Sequence, residues 1–442
     1  MIDAQQAALA AMQAGRHEEA ERLYRELLAV FPHPAFMNNL GLVLVAQHRD
    51  AEAVPLFQRA VAARPDDTRA RIALSNALIH SGRADEALAV CNELLLMAPF
   101  DRDARHNRAV ALRALARNEE AAIAMRKLLA EDPDDADAEL NLAFAELMLE
   151  RYDEAWHHYE ARWRGAGAQR PLPECDVPLW RAGDRLDGRA VLVQSEQGFG
   201  DVLQFLRFAG PLLAIARRVE LHVPPPLRAL VEGSFPGADV KAQGSEPGRG
   251  LETRLGLSSL PLALGITHPG SADAYLRADA GAVARWRERV PPMAMAIAWR
   301  GSRTARHDAR RSMPLEALEP WLGATARRNL PVLVLQRDVD DAERRFLAAF
   351  PHVAIPGESL ADFGDTAACM MLAQHVAAVD TSVLHLAGAL GRPATGLLQF
   401  ASDWRWGIDR PPGSTYRSVR TLRQPSPGDW KPVVRALIES LP

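Results

Sequence analysis

The chain is long enough for about three domains, and its composition is that of a folded protein. Its 442 residues are 48% hydrophobic and 24% charged, which excludes a disordered or collagen-like chain. The 56 acidic and 52 basic residues leave a formal net charge of −4, which is the wrong sign for a general polyanion binder. Because 49 of the basic residues are arginine and three are lysine, we attribute the arginine excess to GC-rich codon usage rather than to nucleic-acid binding.

Disulfide, zinc and membrane-spanning classes are also excluded. Cys91, Cys175 and Cys369 are far apart and outside any CxxC spacing, so neither a disulfide framework nor a zinc site is expected. The N-terminal segment lacks the basic start and apolar run of a signal peptide. No uncharged apolar stretch reaches about 18 residues, the length that a spanning helix needs. We expect a cytoplasmic protein without a transmembrane segment.

The N-terminal part of the chain repeats itself in steps of 33 or 34 residues. The repeated small residues are Ala20, Ala53, Ala87, Ala121 and Ala155, and Pro32, Pro65, Pro99 and Pro133 keep the same spacing. Small residues let two antiparallel helices approach closely, and the prolines end each second helix because they lack an N–H. With Leu40, Gly41 and Phe57 at its other positions, the pattern resembles the tetratricopeptide repeat (TPR) over residues 3–163. We predict an α-solenoid over residues 1–163 with about five repeats.

Arrays of this kind expose a groove, and their usual task is to hold a peptide or a protein partner. The alternative is a spacer or a dimerisation arm, because the fold alone does not decide the function. The sequence leaves both interpretations open.

A Gly- and Pro-rich linker (residues 164–187) and then an alternating strand–helix pattern follow the repeats. Its short apolar runs include 190–194, 295–299, 332–336 and 376–380. Strands that alternate with helices are typical of parallel sheets covered on both faces. We therefore predict two doubly wound lobes, residues 188–290 and 291–442, facing each other across a cleft. The amphipathic C-terminal segment WKPVVRALIESL is expected to cross back and close the first lobe.

Three loops at the carboxyl ends of these strands carry reactive side chains, and ligands bind at such ends. The first loop, residues 195–201, contains glycines and ends at Asp201, beside a helix start whose N–H groups suit an anion or an acceptor sugar. Asp201 is a candidate general base. The alternative is that it only caps the helix.

The second loop, residues 299–302, leads into an arginine-rich segment with Arg306, Arg310 and Arg311. Guanidinium groups bind phosphate oxygens in bidentate fashion, so one of these arginines is a candidate clamp for a diphosphate. The alternative is that each is a solvated surface residue.

The third loop, residues 380–385, ends a strand and starts a helix. The hydroxyls of Thr381 and Ser382 lie beside free helix N–H groups, which is the chemistry of a phosphate cradle. The alternative is that Asp380, Thr381 or Ser382 caps the helix while His385 packs in its first turn.

Together the loops resemble those of the heptosyltransferase-like glycosyltransferases, family nine, which have a two-lobed GT-B fold. They are more closely similar to the bacterial branch in which TPR repeats precede that domain, a branch that includes flagellin glycosyltransferases. The resemblance covers about residues 178–432. It is carried by Trp180, Gly183, EQGFGD at 196–201, Gln204, Arg207, Trp299, Gly301, Arg311, Ser312, LQ at 335–336, DFGDTAA at 362–368, VDTSVLHLAGALGRP at 379–393, DWRW at 403–406 and RQPSPGDW at 423–430.

The resemblance implies roles for individual residues. The Asp of the family's GD motif acts as base on the acceptor hydroxyl, which implies Asp201 as the catalytic residue. The donor surface implied by the family consists of Trp299, Gly301, Arg311, Ser312, Gln336, Asp380, Thr381, Ser382 and His385, and the acceptor side of Glu196, Gln197, Gly198 and Gly200.

The sequence also departs from this family. Ala305 and His307 stand where the branch commonly has His and Asn, and Gln374-His375 replaces a common Asp-Leu. No lysine lies between Lys241 and Lys431 to match the phosphate-binding lysine of heptosyltransferases, which leaves Arg311 as its substitute.

The resemblance implies an inverting transfer of sugar from a nucleotide sugar to a protein acceptor, such as flagellin, held by the TPR array. The nucleotide sugar is then a substrate, no further cofactor is expected, and the lack of a D-x-D motif agrees with metal independence. Residues 1–165 have 27 acidic and 19 basic residues, so the remainder is mildly basic and suits a phosphate-bearing donor. The alternatives are transfer to lipopolysaccharide or another glycan, and a non-catalytic scaffold with a decayed site. The sugar, the nucleotide, the acceptor and the oligomeric state stay open.

Overall fold

The computed structural model describes residues 2–165, 172–302, 311–408 and 410–442. The chain divides into two compact units, Met1–Leu149 and Glu150–Pro442. Arg306 and Arg310, the candidate phosphate clamps, and the departures at Ala305 and His307 lie outside the described residues. None of the described helices is long and apolar enough to cross a bilayer.

The described part of the first unit contains nine helices, each packed against the next. They are α1 (Ile2–Gln13), α2 (His17–Val30), α3 (Pro34–Ala46), α4 (Asp50–Ala63), α5 (Thr68–His80), α6 (Ala84–Met97), α7 (Arg102–Ala114), α8 (Asn118–Glu131) and α9 (Ala136–Met148). Asp67, Asp101 and Asp135 begin α5, α7 and α9 because each carboxylate accepts a hydrogen bond from a backbone N–H three residues on. The step of 34 residues therefore also spaces the aspartates that cap the N-termini of these three helices.

The repeated small residues lie where neighbouring helices meet. Ala20, Ala53 and Ala87 have no exposed surface. A Cβ placed on Gly41 would lie 2.6 Å from the ring of Phe57, so this ring occupies the space of the missing side chain. Two repeats later the equivalent pair is Ala109 and Met125, both buried in one apolar cluster. A larger residue in one helix is thus matched by a smaller one in the other.

The second unit contains two sheets, in which all strand pairs are parallel. The first has the order β3-β2-β1-β4, with β1 (Ala190–Gln194), β2 (Arg218–Val223), β3 (Ala238–Ala242) and β4 (Thr253–Gly256). The second has the order β10-β9-β8-β5-β6-β7, with β5 (Met295–Ala298), β6 (Val332–Val334), β7 (Val353–Ala354), β8 (His375–Val379), β9 (Ala394–Leu398) and β10 (Val419–Arg423). β1 and β9 are buried along their whole length, as strands covered on both faces should be.

Helices surround and connect these strands. The described α-helices are α10 (Tyr152–Tyr159), α11 (Phe199–Phe205), α12 (Ala209–Ile215), α13 (Arg228–Ser234), α14 (Leu260–Ala263), α15 (Ala280–Arg287), α16 (Glu319–Arg327), α17 (Asp341–Leu347), α18 (Phe363–Leu372), α19 (Ser382–Ala389) and α20 (Lys431–Glu439), together with short 3-10 turns such as Glu160–Trp163. The alternation predicted from the sequence is thus present as a parallel-sheet α/β region.

Helix α10 carries the last of the repeated alanines, Ala155, yet it belongs to the α/β unit. Its Trp156 contacts Phe205 and Trp404 edge to face, with ring centroids 6.3 and 5.6 Å away. The repeat period alone places this helix in the array, whereas its aromatic face packs on the α/β region.

The C-terminal helix α20 does not cross back to the first lobe, which corrects the sequence prediction. Its Val433, Val434 and Leu437 lie in one apolar cluster with Trp321 of α16 and Val334 of β6, all around the second sheet. The amphipathic pattern predicts that one face of α20 is buried. It does not specify which sheet provides the partner.

We predict that Gly41→Ala lowers the free energy of unfolding of the array by about 1–3 kcal/mol, because its Cβ overlaps the Phe57 ring. Adding Phe57→Met recreates the Ala109–Met125 pair of the same chain and should restore most of the loss. Urea unfolding followed by circular dichroism measures both effects.

Gly233→Ala, in α13 of the α/β unit, is the control, since its Cβ would meet no atom within 4 Å. It should raise the free energy of unfolding of that unit by up to about 1 kcal/mol. Equal stability of Gly41→Ala and the wild type would contradict the packing argument.

Candidate functional site

The strand orders define two places where a ligand could bind. In the first sheet the order reverses between β1 and β4, and in the second between β5 and β8. Loops diverge at such a switch point and leave a crevice at the carboxyl ends of the strands. The two crevices differ in what occupies them.

The crevice of the first sheet is filled by the protein itself. Glu196, directly after β1, accepts hydrogen bonds from the backbone N–H groups of Leu257 and Ser258 after β4, at 3.0 and 3.1 Å. The fully buried guanidinium of Arg162 lies 3.1 Å from the same carboxylate and donates to Ser259 at 2.6 Å. The Glu196 side chain, which the resemblance placed on the acceptor side, is thus occupied by protein donors.

Gln197 is likewise bound within the unit, because its side-chain amide donates to the Tyr159 hydroxyl at 2.8 Å. Gly198 begins α11, and its N–H donates to Asp201 Oδ2 at 3.2 Å. Gly200 is the acceptor-side residue that reaches the other lobe, since a Cβ there would lie 3.2 Å from His385 and 3.6 Å from the backbone nitrogen of Ser382. The first turns of α11 and α19 are therefore in contact.

The crevice of the second sheet is bordered by polar residues that follow β8. Asp380 and Thr381 are largely buried and precede Ser382, the first residue of α19. His385 Nε2 lies 3.7 Å from Asp380 Oδ1, and its Nδ1 shares a hydrogen bond of 2.9 Å with the Tyr416 hydroxyl. Trp406 stacks on the imidazole with ring centroids 5.2 Å apart. These contacts hold the His385 ring in one orientation.

Arg405 connects the predicted base to this loop cluster. Its guanidinium donates to Asp201 Oδ1 at 2.7 Å, to Asp403 Oδ1 at 2.8 Å and to Gln204 Oε1 at 3.3 Å. The Asp201 side chain keeps 30% of its surface, whereas the Arg405 side chain keeps 7%. Asp201, from the loop after β1, and Asp403, from the loop after β9, thus meet around one cation.

The protonation states in this cluster are set mainly by burial. Burial raises the pKa of Asp201, and Arg405 opposes that rise. Burial and then the neighbouring Asp403 raise the pKa of Asp380 to about 6. Burial, followed by Arg405 and other arginines, holds the pKa of His385 well below its ordinary value, so the imidazole is neutral at pH 7. The field of Arg311 reaches all three groups and lowers each pKa.

The other predicted donor residues lie on the opposite side of the second switch point. Trp299 is 1% exposed, and its indole N–H donates to Glu343 at 3.1 Å. The Gly301 N–H donates to Ser312 Oγ at 3.2 Å. The Gln336 side-chain amide donates to Asp338 at 2.7 Å. These residues shape the loops after β5 and β6, and Trp299 itself is part of the core.

A cavity of about 320 Å³ lies beside Arg405. Its lining includes Tyr152, Arg207, His268 and Arg410. Three arginines line this cavity, namely Arg207, Arg405 and Arg410. Arg410 is paired with Glu150 at 2.6 Å. The volume is at the lower end of that of ligand pockets.

Sequence reasoning did not assign a role to Arg405 or Tyr416. Arg405 lies in the DWRW segment that carries the family resemblance, and that segment was the available signal. Tyr416 had no such signal. Its ring packs on Gly388 of α19, where a Cβ would lie 2.3 Å from the ring, and this contact depends on the tertiary structure.

Comparison with known proteins agrees with the helical first unit. Residues 6–68 and 44–116 match models of the tetratricopeptide repeat. The N-terminal region consists of tetratricopeptide repeats. Among solved structures, 36% of this chain is similar to 89% of MamA from Desulfovibrio magneticus RS-1, with 22% identity and a TM-score of 0.33. A tetratricopeptide repeat protein from Parabacteroides merdae gives 20% identity over 36% of this chain and 64% of that chain, with a TM-score of 0.33.

One curated relative is similar over more of the chain than the repeats occupy. It is Protein FlbA of Caulobacter vibrioides, 26% identical over 322 residues, which cover 65% of this chain and 52% of FlbA. The chain thus spans about half the length of this relative.

We predict that Glu196→Gln lowers the free energy of unfolding of the α/β unit by about 1–3 kcal/mol, because the buried Arg162 cation loses one of its two carboxylate partners and keeps Glu160 at 2.5 Å. Glu232→Gln is the control, since this glutamate is exposed and lies 4.0 Å from an exposed Arg228. Urea unfolding followed by tryptophan fluorescence measures both. A loss below about 1 kcal/mol, as expected of surface pairs, would refute the structural role of Glu196.

We also predict that Asp380→Asn raises the free energy of unfolding at pH 7 by about 1–3 kcal/mol. The pKa of Asp380 is higher in the folded than in the unfolded chain, so its ionisation destabilises the fold as the pH rises through about 6. The variant and the wild type should therefore be equally stable near pH 4 and diverge above it. Asp273→Asn, at an exposed carboxylate, should leave the pH profile unchanged.

Proposed function

We propose that the α/β unit is an inverting, metal-independent glycosyltransferase of GT-B architecture, with lobes at residues 188–290 and 291–442. It would transfer sugar from a nucleotide sugar to a polypeptide acceptor bound by the TPR array. The observation that carries this proposal is that the loop of Asp201 in the first lobe meets the second lobe twice, through the Asp201–Arg405 pair and through Gly200, which lies against His385 and Ser382. A carboxylate on one side and phosphate-binding groups on the other are what a single displacement at an anomeric carbon requires.

The second lobe would hold the donor diphosphate at the start of α19. Backbone N–H groups at a helix start carry partial positive charge, and Ser382 adds a hydroxyl donor there. The Thr381 hydroxyl donates to the Val379 carbonyl at 3.2 Å, so Thr381 would contribute through its position at the helix start. Arg405 and Arg311 add positive charge near this helix start, since the field of each lowers the pKa of Asp380. These groups would stabilise the negative charge that develops on the departing diphosphate.

Donor binding and activation of the base would be coupled through Arg405. Without donor, Arg405 pairs with Asp201 and opposes the burial that raises the pKa of this carboxyl. A diphosphate that accepts hydrogen bonds from Arg405 would withdraw this cation from Asp201. The carboxylate would then become more basic and accept the proton of the acceptor hydroxyl as that oxygen attacks the sugar.

The acceptor would enter beside Arg405. The cavity of about 320 Å³ adjoins Gln204 and Arg405, which both contact the Asp201 cluster. TPR arrays commonly bind polypeptides, which supports a protein rather than a lipid-linked acceptor.

A second candidate function is a scaffold without catalytic activity. It is favoured by the engagement of both Asp201 oxygens, one by Arg405 and one by the Gly198 N–H. In a scaffold these contacts would be permanent and would only fasten the two lobes together.

We predict that Asp201→Asn lowers the transfer rate by at least about 10²-fold while nucleotide-sugar binding is retained, because the proton acceptor is lost whereas Asp403 remains as a counter-charge of Arg405. Transfer is followed by intact-mass spectrometry of candidate acceptor proteins co-expressed with the enzyme, and binding by calorimetry against a panel of nucleotide sugars.

Asp239→Asn, at a partly exposed carboxylate of the same lobe, should leave both readouts unchanged. Binding of none of the nucleotide sugars would favour the scaffold. Nucleotide binding with undiminished transfer by Asp201→Asn would instead remove Asp201 as the base.

A further inference from the structure

The TPR array contains one arginine where three other repeats bury a leucine. Leu40, Leu74 and Leu142 occupy equivalent positions in their repeats and are 2, 4 and 1% exposed. Arg108 stands at the same position in the repeat that begins at Arg102. A cation that replaces a buried leucine lowers the stability of the array. Its presence therefore suggests a role other than packing.

Arg108 lies in the wall of a groove of about 310 Å³ between α6, α7 and α8. The groove is lined by Leu95, Arg105, Arg108, Glu120, Ile123, Ala124 and Lys127. An apolar floor is thus combined with three cations and one carboxylate.

Two of these charges are already neutralised. Arg105 makes a bidentate pair with Glu131 at 2.6 and 2.7 Å. Glu120 is held by both nitrogens of the Arg117 fork at 2.7 Å.

The other two cations are not neutralised in this way. Arg108 donates from Nε to Asn92 Oδ1 at 2.8 Å, and within the described residues its terminal nitrogens have no hydrogen-bond partner. Lys127 has none there either. The groove therefore presents two cations that can receive anionic groups.

Apolar side chains are exposed in the groove and at the end of α6. Ile123 in its wall is 46% exposed. Leu96, Met97 and Phe100, which follow Leu95 in the chain, are 86, 51 and 88% exposed. Apolar surface of this kind is typical of a protein-binding site.

We propose that this groove binds an acidic segment of a polypeptide that also carries apolar residues. Carboxylates of the segment would pair with Arg108 and Lys127, and its apolar side chains would cover Leu95 and Ile123. A nucleic acid fits less well, because its phosphate backbone would leave these apolar side chains of the groove uncovered. This proposal rests on the proposed function, in which the TPR array binds a polypeptide acceptor, and it specifies the chemistry of that polypeptide. It concerns binding alone and is tested without sugar transfer.

Arg108→Leu is the decisive variant, because it installs the residue that three other repeats bury. We expect it to fold with unchanged or higher thermal stability and to lose at least tenfold in affinity for the acidic segment. The probe is a pool of fluorescein-labelled peptides with glutamate or aspartate at alternate positions and randomised apolar residues between them. The full-length chain is titrated by fluorescence anisotropy, and bound peptides are identified by mass spectrometry.

Lys127→Ala should weaken binding of the same peptides, whereas Arg59→Ala, at the equivalent position of an earlier repeat, should not. Rising salt concentration should weaken binding, and a lysine-for-glutamate pool should not bind. Absence of binding by the acidic pool, or equal affinity of Arg108→Leu, would overturn the proposal. Equal displacement by inorganic phosphate or by single-stranded poly-dT would do so too, since the site would then be a general anion site. All of these outcomes are independent of nucleotide-sugar binding.

Discussion

The arrangement of the α/β unit depends on the guanidinium of Arg405, which joins residues 204 positions apart in the chain. It donates to Asp201 from the loop after β1 and to Asp403 in its own loop, and its side chain is almost fully buried. A buried cation needs its counter-charges close by, so the two carboxylates and the cation hold one another in place. The same interaction connects the two lobes and opposes the burial that raises the pKa of Asp201. The contact between Arg405 and Asp201 therefore contributes both to the fold and to the proposed chemistry.

The two switch points have contrasting contents. At the first, Glu196 and Arg162 form a buried pair in which backbone N–H groups satisfy the carboxylate, so the crevice is closed by the protein's own side chains. At the second, Asp380, His385 and the start of α19 border the crevice, and burial makes the imidazole neutral. Burial also raises the pKa of Glu196, so a displaced pKa does not by itself separate the two crevices. The difference is that backbone and side-chain donors of the protein occupy the Glu196 carboxylate.

The TPR array provides its own internal reference, because each repeat can be compared with the next. Gly41 with Phe57 and Ala109 with Met125 fill similar space with different partners, as close packing requires. Arg108 departs from this pattern, since a cation that donates to Asn92 stands where three other repeats bury a leucine. A departure that packing does not explain is an indication of binding.

The sequence by itself determined the elements that follow from local periodicity. A step of 34 residues is enough to define stacked helix pairs, and apolar runs alternating with helices are enough to define parallel sheets, because both patterns repeat the geometry of one segment. The family resemblance also singled out Asp201 and the loop at 380–385. Tertiary structure alone decided that Glu196 pairs with Arg162, that Arg405 reaches Asp201, and that α20 packs on the second sheet. Those contacts join residues far apart in the chain, and no local pattern specifies which of several suitable partners a side chain will meet.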